Sequence, residues 1–256
     1  MFVEHRLKEI TDLLNDNGSV KVKELSEKFQ VSDDLIRKDL AKLEQAGICK
    51  RAYGGAVLVK TNLHMTYVSQ RKKLNLSVKK KLANEALKLI KKHNMIFLDL
   101  SSTNIELAKL IVNNNLDVTL VTNSIDILNI LVDSNIDLIF IGGNINKTRD
   151  GFYGAIENEL IERFNFDIAF LGTVGIDIDT NVLQTYDVED AMSKQKVIKH
   201  SKKRYLLIES TKFNYEGNCN YAKINDFTGI ICDSCSEGNQ KKLEDLNVEV
   251  IKINKK

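Results

Sequence analysis

Apolar positions recur along this chain with two different periods, and the change from one to the other divides it. Up to residue 46 the period is helical. Val3, Leu7, Ile10, Leu13 and Leu14 line one face of a first helix, and Asn17 with Gly18 supplies the residue types that close a helix in the left-handed conformation. Val22, Leu25 and Phe29 define a shorter second helix, and after a four-residue turn over 29–32 Ser32 can cap a third that runs from residue 33 to about 46, where Gly47 ends it. Beyond residue 90 short apolar runs alternate with amphipathic stretches. The runs predict strands at 95–100, 118–121, 136–141, 168–171 and 205–208, helices that end near 111 and 131, another over 188–200, and a closing strand–helix–strand over 229–253. Such alternation predicts an α/β fold with a mostly parallel sheet covered on both faces.

Residues 57–76 lack clear periodicity and read as a linker, part of it helical, with Ser77 as the cap of a helix whose apolar face is Leu82, Ala83, Ala86, Leu87 and Ile90. The expected division is therefore 1–57, a linker over 58–76, and 77–256. At 256 residues the chain fits one small and one medium domain. No apolar run approaches the ~18 residues of a membrane span, and the first ten residues are already helical in pattern, so a cytoplasmic protein with no membrane partner is expected. Four cysteines at irregular spacing predict reduced thiols; Cys232 and Cys235 form a lone CxxC without a second pair or a nearby His, so no metal site is expected.

Charge changes the reading of the helical part. Residues 1–81 hold 17 Lys and Arg against 10 Asp and Glu, whereas the rest holds 20 against 25. Lys50, Arg51, Lys60, Arg71, Lys72, Lys73, Lys79, Lys80 and Lys81 follow Glu44 with no acidic residue before Glu85, which predicts a phosphate-contacting surface. In the third helix Leu35, Ile36, Leu40 and Leu43 face inward, which leaves Asp34, Arg37, Lys38 and Lys42 outward. Two short helices joined by a tight turn present the second as a recognition helix, whose first turn reaches base edges, so Ser32, Asp34, Arg37, Lys38 and Lys42 are candidate contacts with double-stranded DNA. Arg37 can grip a base or a phosphate bidentately. Residues 48–56 carry Lys50, Arg51 and Tyr53 before Gly54 and Gly55, the make-up of a β-rich wing laid along the backbone.

These residues carry a resemblance. Val31, Ser32, Ile36, Arg37, Lys38, Asp39, Leu40, Leu43, Glu44, Gly47, Arg51, Gly54, Gly55 and Ala56 follow the pattern of the N-terminal domain of DeoR-type bacterial transcription regulators, V-S-x-x-T-I-R-[R/K]-D-L, then L-E-x-x-G, then R-x-x-G-G-A. Leu35 departs from the usual Thr, which removes or moves a hydroxyl contact.

The second half has its own chemistry. In an open α/β sheet ligands bind beyond the carboxyl ends of the strands. Asp99, Ser101, Ser102, Thr103, Asn123, Ser124, Gly142, Gly143 and Gly172 collect at four predicted strand ends, and Lys212 follows a fifth. Hydroxyls and helix N-termini there suit a small polar anion. A dinucleotide site is excluded because no G-x-G-x-x-G follows the first strand. The resemblance extends here through Asp99 to Thr103, residues 122–124, Gly142 and Gly143, Asp167 to Gly172 with Gly175 and Ile176, Glu189 to Ala191 with Lys194, and Ser210 to Phe213. It implies a sensor domain similar in fold to sugar-phosphate isomerases and an effector that is a phosphorylated sugar or related metabolite. By that resemblance Ser101 to Thr103 and Lys212 hold the phosphate, Asp99, Asn123 and Glu189 meet hydroxyls, and Lys194 belongs to the same site. Ser101 replaces the usual Gly, and Glu209 stands near the position of the usual Asp, so an unusual effector or weak binding is expected. The resemblance implies a transcription regulator, most often a repressor, that needs no cofactor and works as a homo-oligomer, dimer or tetramer. The alternatives are an aldose–ketose phosphate isomerase fused to a DNA-binding domain, with Asp99, Asp177 or Glu189 as the base, and a half devoted chiefly to oligomerisation.

Overall fold

The computed structural model describes residues 3–59, 72–146 and 151–253. Lys60 and Arg71, with most of the expected linker, lie outside them. Helix α1 (Val3–Asn17), strand β1 (Ser19–Lys21), helices α2 (Val22–Phe29) and α3 (Asp33–Gln45), and strands β2 (Cys49–Ala52) and β3 (Gly55–Leu58) form the first unit. Its core is Ile10, Leu14, Val20, Val22, Leu25, Ile36, Leu40 and Leu43, largely the residues the helical period puts on inward faces. Gly18 and Gly47 stop α1 and α3 with φ of +70° and +73°. Strand β1 has three residues, too few for a pattern, and is held by antiparallel pairing with β3. The hairpin β2–β3 turns at Tyr53 and Gly54, one residue earlier than Gly54 and Gly55. Gly54 supplies the positive φ of +78°, while Gly55 is needed for space, since a Cβ there would sit 2.0 Å from the Val20 carbonyl oxygen.

The larger unit begins at helix α4 (Leu76–Leu87), one residue before Ser77. The N-cap is Asn75, at φ +51° and without a side-chain cap bond, so Ser77 lies inside the helix and does not cap it. Asn tolerates the left-handed conformation better than most residues. Then come β4 (Met95–Leu98), α5 (Ser102–Asn113), β5 (Thr119–Thr122), α6 (Ile125–Leu131), β6 (Asp137–Phe140), β7 (Asn144–Asn146), β8 (Gly151–Tyr153), α7 (Ala155–Ile161), β9 (Phe166–Leu171), β10 (Gly175–Asp177), β11 (Val182–Thr185), α8 (Val188–Lys199), β12 (Ser201–Ile208), β13 (Cys219–Lys223), β14 (Gly229–Cys232), α9 (Glu237–Asp245) and β15 (Glu249–Lys252).

Seven strands form one sheet in the order β15-β14-β12-β9-β4-β5-β6, every neighbour parallel. Successive side chains leave opposite faces of a strand, and the core divides accordingly. Ile96, Leu98, Leu120, Ile168, Phe170, Tyr205 and Leu207 meet α4, α5 and α6 on one face. Phe97, Val121, Ala169, Leu171, Leu206 and Ile208 meet α7, α8 and α9 on the other. Each fully buried Phe, Leu or Ile contributes about 1.5–3 kcal/mol by leaving water, which is why these strands are apolar on both faces.

Chain order creates the crevice. From β4 the chain moves outward to β5 and β6, then returns to the other side of β4 as β9 and moves out through β12, β14 and β15. The order reverses between β4 and β9, the place at whose carboxyl ends open α/β sheets bind ligands. A second, antiparallel sheet β10-β11-β13 and the hairpin β7–β8 stand on that side, both built of strands of three to five residues that the apolar pattern does not reveal.

Candidate functional site

Helix α3 is held to the first unit by a buried ion pair. Arg6 Nε donates to Asp39 Oδ2 at 2.6 Å, with both side chains almost wholly enclosed, and the pairing fixes α3 against α1. The opposite face of α3 is open. Asp34, Arg37, Lys38 and Lys42 are all exposed, as the helical period requires. Ser32 caps the helix, its Oγ accepting from Leu35 N at 3.4 Å. Arg37 Nη1 donates to Asp34 Oδ1 at 3.0 Å across one turn, a surface pair in high dielectric that an incoming base or phosphate can displace. Leu35 is half-buried.

The wing is tied to the recognition helix. Glu44 accepts from the Arg51 backbone N–H and from Arg51 Nε, both at 2.8 Å, and these bonds hold the Glu44 carboxyl below its usual range. Arg51 therefore positions β2 as well as lending charge, and its side chain is still half exposed. Lys50, Tyr53 and Gly54 are exposed on the wing, with Tyr53 fully so at the tip.

The basic run does not continue as one exposed surface. Lys79 is buried, donating to the Leu74 carbonyl at 2.6 Å and lying 3.5 Å from Glu209, and Lys72 pairs with Asp126 at 2.6 Å. Their charges serve the contact of the segment before α4 with the α/β unit, because a buried ammonium must have partners there. This corrects the expectation of a phosphate-contacting surface for Lys72 and Lys79; Lys73, Lys80 and Lys81 are exposed.

At the sheet the structure brings β4 and β9 together through one carboxylate. Asp99, 3% exposed, follows β4 at the reversal point. Its Oδ1 accepts from Ser101 N at 2.9 Å and Asn104 Nδ2 at 2.8 Å; its Oδ2 accepts from Gly172 N at 2.8 Å and Lys194 Nζ at 2.6 Å. Both oxygens are occupied by protein donors, so Asp99 organises the strand ends and does not project an open carboxylate. Lys194 also lies 3.3 Å from Asp190 and over the Tyr221 ring, and Asp190 accepts from Thr185. Burial alone would lower the Lys194 pKa, but Asp190 and Asp99 outweigh it and hold the ammonium protonated. Burial likewise pushes the Tyr221 hydroxyl up.

Ser101 caps α5 with its Oγ accepting from Asn104 N, at φ −70°. That is ordinary extended backbone, so serine at this position costs no strain. The space for it comes from Gly172, where a Cβ would lie 2.4 Å from Ser101 Cβ. Ser102 and Thr103 open α5, whose first N–H groups have no intrahelical acceptor.

Beyond β5, Ser124 caps α6 and Asn123 is buried. Asn123 Nδ2 donates to Phe152 O at 3.1 Å and Glu157 Oε1 at 3.0 Å, while its Oδ1 has no partner among the described residues. Glu157, fully buried, also accepts from Ser193 Oγ at 2.7 Å, and burial pushes its carboxyl up to about 7. Gly143 lies under Tyr153 and Glu157, with no room for a Cβ; Gly142 has open space. Glu189 is exposed on the first turn of α8, and its backbone carbonyl accepts from Ser193 Oγ at 3.0 Å. Lys212, half-buried, lies over the Tyr215 ring at 5.2 Å, and Ser210 is held by Asp233 through its N–H and its hydroxyl. Glu209 accepts from Asn75, joining the segment before α4 to the end of β12. Asp167 sits at the opposite, amino end of the sheet, where it binds Met95 N.

Sequence reasoning missed Asn104, Glu157, Asp190 and Tyr221. Their types are uninformative along the chain, and only folding collects them. Among the described residues no group of three or more His, Cys, Asp or Glu could hold a metal ion, and no helix is long and apolar enough to cross a membrane.

An exposed helix and wing of helix-turn-helix form, followed by an α/β unit whose polar residues gather at the strand ends, has the make-up of a DNA-binding transcriptional regulator. Comparison with known proteins supports the same class. Residues 6–62 match the DeoR-like helix-turn-helix domain and residues 74–234 match the DeoR C terminal sensor domain. The chain is similar to a lactose phosphotransferase system repressor of Staphylococcus epidermidis, 30% identical over 96% of this chain and 98% of that one, and to an L-fucose operon activator of Haemophilus influenzae, 32% identical over 91% and 93%. It belongs to the DeoR family of transcriptional regulators, and by that membership it is a regulator and not an enzyme. Ribose 5-phosphate isomerase A of Methanocaldococcus jannaschii is a similar solved structure, at TM-score 0.40 and 20% identity over 54% of each chain.

Proposed function

We propose that this protein controls sugar-metabolism genes, most simply as a repressor, and that a phosphorylated sugar bound at the carboxyl ends of β4, β9 and β12 changes its hold on operator DNA. The observation that carries this reading is the Asp99 network. It fixes the α5 N-terminus, Gly172 and Lys194 at the one place where the strand order reverses. The relatives named for lactose and fucose systems favour a sugar as the source of the signal.

In this reading the N-terminus of α5 with Ser101, Ser102 and Thr103, together with Lys212, holds the phosphoryl group. Asn123, with its unpartnered buried oxygen, Ser124, Gly142, Gly143 and Glu189 line the sugar side. Asp99 and Lys194 are positioning residues. Ser32, Asp34, Arg37, Lys38 and Lys42 face bases and nearby phosphates; Lys50, Arg51, Tyr53 and Gly54 face the backbone. The protein binds as a homo-oligomer on paired half-sites, with the units meeting between residues 57 and 77.

Fluorescence anisotropy of the full chain on the intergenic DNA beside its own gene tests this, with pentose and hexose phosphates and the unphosphorylated sugars added in turn. A phosphorylated sugar should shift DNA affinity by about 5–150-fold, the usual range of allosteric coupling, and the free sugar should not. If no sugar phosphate changes DNA binding or raises the melting temperature, the sensor reading fails.

A further inference from the structure

The chain that joins the two units meets the sensor unit at residues 72–79, which lead into α4 and form its first turn. Little apolar surface holds them there. Leu74 and Leu76 are exposed, and a cavity of about 420 Å³ is lined on one side by Lys72, Lys73 and Leu76 and on the other by Ser102, Ile105 and Asp126. The hold is polar instead. Lys72 Nζ reaches both oxygens of Asp126, at 2.7 and 2.6 Å. Asn75, in the left-handed conformation, donates through Nδ2 to Glu209 Oε2. Lys79, the one buried side chain of this segment, donates to Leu74 O at 2.6 Å and lies 3.5 Å from Glu209 Oε1. Glu209 thus meets the segment with both oxygens. It also opens the turn Ser210–Asn214, where Lys212 N donates to the Glu209 carbonyl at 2.9 Å. The same turn faces the DNA-binding unit, since Asp12 of α1 shares the walls of a second cavity with Ser210, Thr211 and Phe213.

We propose that residues 72–79 are a strap pinned to the sensor unit by Glu209, and that a phosphorylated sugar held by Lys212 loosens the pin and so changes DNA binding. The effector step rests on the assignment of Lys212 to the phosphoryl group; the pin itself does not. A phosphate dianion at Lys212 sets like charge three residues from Glu209 and draws on the turn that Glu209 opens, which weakens its grip on Asn75 and Lys79. A buried ammonium needs its anionic partner, so the strap then loses its one enclosed anchor. With little apolar burial to replace that anchor, residues 72–79 belong to the low-stability end of the molecule. Linkage fixes a second consequence: if the effector favours the loosened strap, breaking the pin by mutation tightens effector binding.

The test uses the full-length chain and two variants. Asn75→Gly keeps the left-handed backbone and removes only the amide, so it folds even if Glu209→Gln, which strips the charge facing Lys79, does not. Without any ligand, hydrogen exchange over 72–79 should rise severalfold in the variants while exchange over 96–98 in the central strand stays unchanged. Unchanged exchange over 72–79 would overturn the pin. Anisotropy on the intergenic DNA is then read with ribose 5-phosphate and with the 6-phosphates of glucose and fructose. The ligand-free variants should show DNA affinity already shifted in the direction that the active sugar phosphate shifts the native chain. Their remaining response should be about fivefold smaller or more, with the sugar phosphate bound more tightly than by the native chain. A full native response in the variants would overturn the coupling. If no sugar phosphate acts on the native chain, it is the sensor reading that fails; a shifted DNA affinity in the ligand-free variants still supports the strap, and an unshifted one overturns it.

Discussion

A buried carboxylate with four donors is stable only while its cationic partner is present. Removing Lys194 as Lys194→Met would leave Asp99 and Asp190 facing each other's surroundings without compensation, at a cost of about 3–5 kcal/mol that urea denaturation should detect. On the other unit Arg37 is exposed and, among the described residues, bound to Asp34 alone. Arg37→Ala should lose about 1–3 kcal/mol of discrimination between operator and random DNA with unchanged melting temperature. Equal loss on both DNAs would show that it touches phosphate alone. Arg37 could be chosen from its place on a helical face, and Ser101, Gly172 and Lys194 shared a candidate site with Asp99, but their bonds to it and the part played by Asn104 could not be read along the chain. Asn104 reaches it from five residues away, and Gly172 and Lys194 from 73 and 95.

At the scale of elements, the wing depends on two adjacent glycines for different reasons. Gly54 turns the chain, whereas Gly55 lets β3 pass under the Val20 carbonyl. Gly55→Ala should therefore cost about 1–3 kcal/mol through overpacking and weaken binding to every DNA sequence, read by thermal melts and by anisotropy on two unrelated duplexes. Turn residues and helix stops were legible because their conformational needs are local. Strands β1, β7, β8 and β10 were not, since three residues carry no period and only a partner strand holds them extended. The α4 boundary misled for a similar reason: Ser77 is a good cap by type, yet Asn75, bonded to Glu209, sets where the helix starts.

For the whole molecule, one buried carboxyl should govern the pH dependence of stability. Glu157 titrates near 4.5 when exposed and at about 7 when folded. Over that window the folded state binds the proton more tightly, so stability is greatest below it and falls as pH rises from about 4.5 to 7, by at most about 3 kcal/mol. Melting temperature should drop across this range in the native chain and stay flatter in Glu157→Gln. A slope of the opposite sign would mean that ionised Glu157 finds a partner. Charge distribution adds a second expectation: Lys50→Ala should weaken all DNA binding and reduce the salt slope by about one.

The sequence by itself determined the two units, the recognition helix with its outward cations, and the parallel α/β plan. Periodicity and capping are local, and a strand buried on both faces must be apolar throughout. Only the tertiary structure decided which polar residues meet. Packing α4 against the end of β12 turned Lys79 from a surface charge into a buried tether for Glu209, and the reversal of strand order beside β4 gathered Asp99, Asn104, Gly172, Lys194 and Asp190 into one network. Burial makes such partners obligatory, and the fold alone brings them within reach.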